Sequence, residues 1–348
     1  MIRIGIVGTG NIVGISHFHT LGLLHDGRAE IAAVYDTRMD GARDWVGEHG
    51  LSAAVCESYG ELLDRVDAVS ICVPNAFHCE YALGAIEAGR HFLVEKPMAV
   101  HIEECRALAA AAKGYGKCNM VGFVYRFSNA VQQARRIVRE QIGPVYTYSA
   151  WFGGKRLSDP TVPLEWRMIR RSSGSGALGD FGSHLVDLAD FIADQRYDTV
   201  GCMTETVIPE RQGRDGMAPV ENDDAAAFVA RGSNGLGSYT VSRTGMDDVM
   251  VLVTGQGGMV QMSLRAPESV TYWEKKPDGG YTGAVRQYEL APQKPFDGWF
   301  DGEMTAFLDC IEGKPSFAAD VQQGLYVEEV LHAAALAAGS GAAERIAR

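Results

Sequence analysis

The chain has 348 residues, 46% hydrophobic and 22% charged, with a formal net charge of −12. That length is generous for one core and predicts two domains. No apolar run approaches the ~18 to 20 residues that span a bilayer, and no block of like charge supplies the basic footprint of a nucleic-acid binder, so the expected partners are small molecules.

In chain order, short apolar runs alternate with helical patterns: Ile2 to Val7, then a helix from about Asn11; Ile31 to Tyr35, then a helix through Ala42 and Trp45. The alternation continues with Ala68 to Val73, a helix through Tyr81 to Ala88, His91 to Val94, a helix over Ile102 to Lys113, and Asn119 to Phe123. Five strands in this rhythm predict βαβ units on a parallel sheet over residues 1–124. The first strand begins at Ile2 with no room for a secretory leader before it, which predicts cytoplasmic residence.

Residues 125–348 read differently. A helix over Asn129 to Glu140 and a strand over Val145 to Phe152 are followed by a polar loop, a helix at Gly182 to Ile192, and a run of strands from Val200 to Tyr288. Few helices interrupt them, which predicts a large, mostly antiparallel open sheet with helices on one face. Glu210 to Glu221 is expected to be a disordered insertion, and the closing segments Met304 to Ile311 and Val321 to Ala338 to be helical. The fold class is therefore α/β, a Rossmann doubly wound domain followed by an α+β domain.

Seven cysteines are scattered without a C-x-x-C pair and read as reduced, mostly buried thiols. The nine histidines form no metal-ligand spacing, and no metal is expected.

Gly8-Thr9-Gly10-Asn11-Ile12-Val13-Gly14 follows the first strand and opens the first helix, the setting in which a glycine turn binds a dinucleotide pyrophosphate. Val13 stands where the motif usually has Gly or Ala. Asp36 ends the second strand about 20 residues on, where a carboxylate accepts ribose hydroxyls and repels a 2′-phosphate. NAD is thus favoured over NADP, while Arg38, two residues later, leaves NADP open. Cys72-Val73-Pro74-Asn75 ends the third strand and His78 opens the next helix. The fourth strand delivers Glu95-Lys96-Pro97 to the carboxyl edge of the sheet, where ligands of open α/β folds bind. Val73, Pro74, Asn75, His78, Glu95 and Lys96 join the expected cofactor contacts.

The stretch "VPNAFHCEYALGAIEAGRHFLVEKPMA", with "VGFVYRFSNAV", "EWRMIRRSSGSGALGDFGSHLVDLADFI" and "GLYVEEVLHAAALAA", resembles the Gfo/Idh/MocA family, the glucose-fructose oxidoreductase and inositol dehydrogenase group. The resemblance covers essentially the whole chain. It implies a nicotinamide-dependent oxidoreductase whose second-domain sheet mediates homodimer or homotetramer formation. It places the family's lysine on Lys96 and its Asp-x-x-x-His signature on Asp180 and His184, residues one turn apart if a helix runs through them. Glycines 174, 176, 179 and 182 are expected to let ligand and backbone approach closely.

Oxidation of a secondary alcohol needs a base for the hydroxyl proton. The expectation is that His184 exchanges it, Lys96 positions the reacting oxygen and Asp180 orients the pair, with the two bases able to swap. Arg126, Trp166 and Arg167 lie in segments that resemble the family's cleft-lining loops, and Asp187 falls on a position that binds vicinal hydroxyls in its inositol dehydrogenases. These are the expected contacts to a cyclic polyol or sugar, with Trp166 otherwise a core residue and Asp187 otherwise a surface carboxylate. Glu221-Asn222-Asp223-Asp224 also resembles family sequence or is a strand entry. A redox-assisted glycosidase and a non-catalytic cofactor-binding regulator are the competing functions on this scaffold.

Overall fold

A computed structural model describes residues 1–10, 27–276, 278, 280–294 and 297–347. The first unit alternates β1 (Ile2–Val7), β2 (Ala29–Tyr35), α1 (Met39–Glu48), β3 (Ala54–Val55), α2 (Tyr59–Arg65), β4 (Ala68–Ile71), α3 (His78–Glu87), β5 (His91–Glu95), α4 (Ile102–Ala112) and β6 (Asn119–Gly122). These six strands are parallel, in the order β6-β5-β4-β1-β2-β3. Every residue of β4 is buried, as a strand covered on both faces requires. The strand order reverses at β1, so the turns after β1 and β4 flank a topological switch point, the place where open α/β sheets bind ligands. The two-residue β3 and the Ser58-capped α2 are additions to the expected pattern.

The second unit holds α5 (Asn129–Ile137), which runs into a π turn, β7 (Val145–Gly153), α6 (Gly182–Ala193), β8 (Tyr197–Glu205), β9 (Glu210–Gly213), β10 (Gly216–Pro219), β11 (Ala225–Gly232), β12 (Gly235–Ser242), β13 (Asp248–Gly255), β14 (Gly258–Ser263), β15 (Ser269–Lys275) and β16 (Tyr281–Glu289). The large sheet runs β16-β15-β14-β13-β7-β12-β11-β8, antiparallel except for the parallel pair β7 and β12. Helix α5 packs on β14 and β15, and α6 on β7 and β12. Along β11, Ala226, Phe228 and Ala230 are buried while Val229 between them is 53% exposed, so one face of the sheet is covered and the other open. Glu210 to Glu221 is not disordered: β9 and β10 pair as a hairpin, and Arg211 is wholly buried.

The chain then returns through α7 (Asp297–Ile311), β17 (Ala319–Asp320), α8 (Val321–Ser340) and β18 (Glu344–Arg345). β17 adds antiparallel to β6, and β18 to β8. This corrects the expected division after residue 124: the compact units are Met1–Phe127 with Phe296–Leu325, and Ser128–Pro295 with Tyr326–Arg348. The reason is apolar. Met304, Phe307 and Leu308 of α7 lie in one core with Ile4, Ile6, Leu93 and Met120. Among the described residues no helix is long and apolar enough to cross a membrane.

Candidate active site

In the first unit the site is built from the carboxyl ends of β1, β2, β4 and β5. Gly8 has φ +94°, and a Cβ there would lie 2.5 Å from the Cys72 carbonyl oxygen, so the turn requires a residue with no side chain. Asn11 and Ile12 lie outside the described residues. Thr9 donates to Asp36 Oδ2 from its backbone nitrogen at 2.7 Å and from Oγ1 at 3.0 Å, and the Arg38 nitrogen donates to Oδ1 at 2.8 Å. Burial pushes the Asp36 pKa up, but these three donors, with the Arg38 charge, more than offset it and hold the carboxyl below its usual value. Oδ1 keeps lone-pair capacity for a further donor. The largely exposed Arg38 reaches back over the turn, its Nη2 3.4 Å from where a Gly10 Cβ would stand. A bare turn beside an ionised, pre-oriented carboxylate fits a dinucleotide's pyrophosphate and ribose.

Val73, Pro74 and Asn75 follow β4 at this edge, with Pro74 exposed. His78 does not present its ring to the edge. It is 1% exposed, with Nδ1 2.7 Å from the Pro97 carbonyl and Nε2 2.8 Å from the Val73 carbonyl, so it braces the two turns against each other. Burial drives its pKa down, opposed by those carbonyls and by Glu95. Glu95 is buried, and its Oε2 accepts from the Lys96 nitrogen at 3.2 Å; Lys96 is half-buried and precedes a cis proline. Arg126, expected in the second domain, belongs to the first, where it is buried and donates to the Phe317 carbonyl at 3.2 Å.

The second unit carries the other expected residues. Asp180 closes a single helical turn, Ala177–Asp180, and His184 lies in the first turn of α6. Phe181 between the two helical pieces has φ −95° and ψ −37°, so the pair keeps nearly helical spacing. His184 is 6% exposed, its ring 6.1 Å from that of Phe152, which stacks on Phe181. Asp187 is 1% exposed and sits under the sheet: burial first, then Tyr197 and Asp187, pushes the Tyr148 hydroxyl's pKa well up. The Arg167 guanidinium stacks on the Trp166 ring at 4.4 Å. Burial lowers its pKa, with Arg156 and Arg243 adding to that and Asp180 and Glu165 opposing.

Arg243 was not anticipated from the sequence, and the acidic stretch Glu221 to Asp224 has a larger part than a strand entry. Arg243 donates from Nη2 to Asp180 Oδ2 at 3.2 Å and from Nη1 to the Arg167 carbonyl at 3.3 Å. The acidic stretch is a clasp rather than a plain strand entry. Asn222 Nδ2 donates to the Arg167 carbonyl at 2.9 Å, Asp223 accepts from the nitrogens of Gly176 and Leu178 at 2.8 and 2.7 Å, and Glu221 accepts from the Arg170 nitrogen at 2.8 Å. The glycine run serves this packing: a Cβ on Gly176 would fall 1.8 Å from the Asp223 carbonyl oxygen, and one on Gly179 2.0 Å from Ser175 Oγ. Among the described residues no cluster of three or more His, Cys, Asp or Glu side chains is arranged to hold a metal ion.

Two family profiles match the sequence. One, described as an oxidoreductase family with an NAD-binding Rossmann fold, covers residues 2–123, and the other, described as a GFO/IDH/MocA C-terminal domain, covers 131–261. Levoglucosan dehydrogenase of Pseudarthrobacter phenanthrenivorans is 34% identical over 196 residues, 56% of this chain and 48% of its own length. The chain thus spans about half of that relative. D-Glucoside 3-dehydrogenase of Escherichia coli is 25% identical over 351 aligned positions, 98% of this chain and 96% of its own length. The crystal structure of an oxidoreductase domain protein from Kribbella flavida, 28% identical, matches over 100% of both chains with a TM-score of 0.90.

Proposed function

From the premise that the chain belongs to the GFO/IDH/MocA oxidoreductase family, we propose that it is a cytoplasmic NAD-dependent dehydrogenase oxidising a secondary hydroxyl of a cyclic polyol or sugar. The observation that carries the reading is the ionised Asp36 locked by Thr9 beside the bare Gly8 turn, at the switch point of a parallel sheet. The related levoglucosan and D-glucoside dehydrogenases supply the substrate class.

In this reading Gly8, Thr9, Gly10, Asn11 and Ile12 receive the pyrophosphate, Asp36 the ribose hydroxyls, and Arg38 the adenine side. Val73, Pro74, Asn75, Glu95 and Lys96 border the nicotinamide end, with His78 bracing their turns. The chemistry that a bound NAD supplies is acceptance of a hydride from the carbinol carbon. His184 takes the hydroxyl proton, as a neutral imidazole nitrogen can. Lys96 positions and polarises the reacting oxygen, Asp180 orients His184, and Trp166 and Arg167 hold the ring, with Arg126 and Asp187 supporting from their buried positions.

The test is an absorbance assay for NADH and NADPH formation across inositols, aldoses, anhydrosugars and glycosides. NADH accumulating with a neutral polyol or sugar is the expected result. Aglycone release without net NADH would make the protein a redox-assisted glycosidase, and tight NAD binding with no turnover would make it a regulator.

A further inference from the structure

Arg243 is the first residue past β12, with its backbone nitrogen donating to the Asp224 carbonyl at 2.7 Å. Its side chain is 5% exposed, against 27% for its ion-pair partner Asp180. A pair this buried on the cationic side is weak evidence for stability, because desolvation offsets most of the attraction and an apolar pair often does as well. What it secures is geometry. Two nitrogens of one planar guanidinium reach Asp180 Oδ2 and the Arg167 carbonyl, and a lysine ammonium has no such fork. The Arg167 carbonyl also accepts from Asn222 Nδ2 at 2.9 Å and Ser173 Oγ at 3.0 Å, so three donors converge on one oxygen and fix the Trp166–Arg167 turn.

The charges acting on the Arg167 guanidinium include Arg156 and Arg243 on one side and Asp180 and Glu165 on the other. Arg156 and Glu165 close on each other through two bonds of 2.6 Å. Arg243 forms an ion pair with Asp180, and among the described residues Arg167 has no carboxylate within ion-pair distance.

We propose that Arg243 is a positioning residue: it ties Asp180 to the Trp166–Arg167 turn and keeps Asp180 from capturing the Arg167 guanidinium, which stays available to the sugar. This rests on the dehydrogenase reading of Asp180 and Arg167. Asp180 is the strongest opposite charge acting on the Arg167 guanidinium, so loss of Arg243 both frees the carboxylate to move and draws it toward the sugar contact.

The test is a double-mutant cycle on kcat, KM and NAD Kd, using the sugar that gives the fastest NADH formation. R243Q is expected to lower kcat/KM by about tenfold or more, with sugar KM raised and NAD Kd within about twofold of wild type. In a D180N background, where the captured charge is gone, adding R243Q is expected to change kcat/KM by less than about threefold. R243K, which keeps charge without the fork, is expected between wild type and R243Q, and it carries the cycle if R243Q does not fold. Equal losses in both backgrounds, or R243Q within about twofold of wild type, would overturn the proposal. If no sugar turns over in the wild type, the dehydrogenase reading is what has failed; the tie is then judged by the same cycle in denaturation midpoints, where additive losses overturn it.

Discussion

At the cofactor end Asp36 accepts from the Thr9 nitrogen, the Thr9 hydroxyl and the Arg38 nitrogen. Replacing Asp36 with Ala removes a charge-assisted acceptor, worth about 1.5–3 kcal/mol, so NAD Kd should rise roughly 10- to 100-fold while NADP Kd changes little; titration calorimetry with both nucleotides checks this. Thr9→Val removes one of the donors that hold the Asp36 pKa down. For a carboxyl with a depressed folded pKa, the linked stabilisation is present above the unfolded value of about 3.9 and is lost as pH falls through the folded value. Thr9→Val should therefore move the acid limb of NAD affinity to higher pH, and an unmoved limb would count against the lock. Lys96→Ala and His184→Ala should each cut turnover by ~100-fold or more; losses of a few fold would remove them from the chemistry. Asp36 and Lys96 could be proposed from the sequence because each follows the end of a strand, and Asp180 because the family resemblance places its signature there. Arg243 could not: its meaning depends on Asp180 and Arg167, far along the chain, and a strand-ending arginine looks like a surface charge until both acceptors are located.

Among elements, strands and helices with strong periodicity were legible, since alternation and the 3.6-residue repeat are local properties. β3 has two residues and no period to read. The β9–β10 hairpin was missed because its polar sequence reads as a solvated loop, yet Arg211 Nη1 and Nη2 reach the carbonyls of Leu157, Asp159 and Val162 and hold the loop leading to Trp166. Arg211→Ala strands those carbonyls and should open that loop to limited proteolysis between residues 155 and 165, read by mass spectrometry. Gly176→Ala pushes a methyl into the Asp223 backbone; it should cost about 1–3 kcal/mol, seen as a lowered Tm, with turnover falling as the Asp180 turn shifts.

At the scale of the molecule, the open face of the large sheet exposes Met203, Val229 and Met250 beside Trp151 and Leu252. Continuous apolar surface of this kind marks interaction sites, and we propose that a homodimer or homotetramer forms through it. Met203→Glu with Val229→Glu should yield monomers by light scattering while leaving thermal unfolding of the fold intact. A wild-type monomer would exclude this assembly.

The first unit is also closed late. Its β6 edge is covered by β17 and its core filled by α7, both made long after the sheet they complete. During synthesis the nascent sheet must wait with an unpaired edge and an apolar gap, the period in which pairing with a second nascent chain competes with folding. A gene cut at the apparent seam between the two halves would leave that wait without an end, so a lone nucleotide-binding half is a poor candidate for expression, whereas one carrying its own returning segment is a good one.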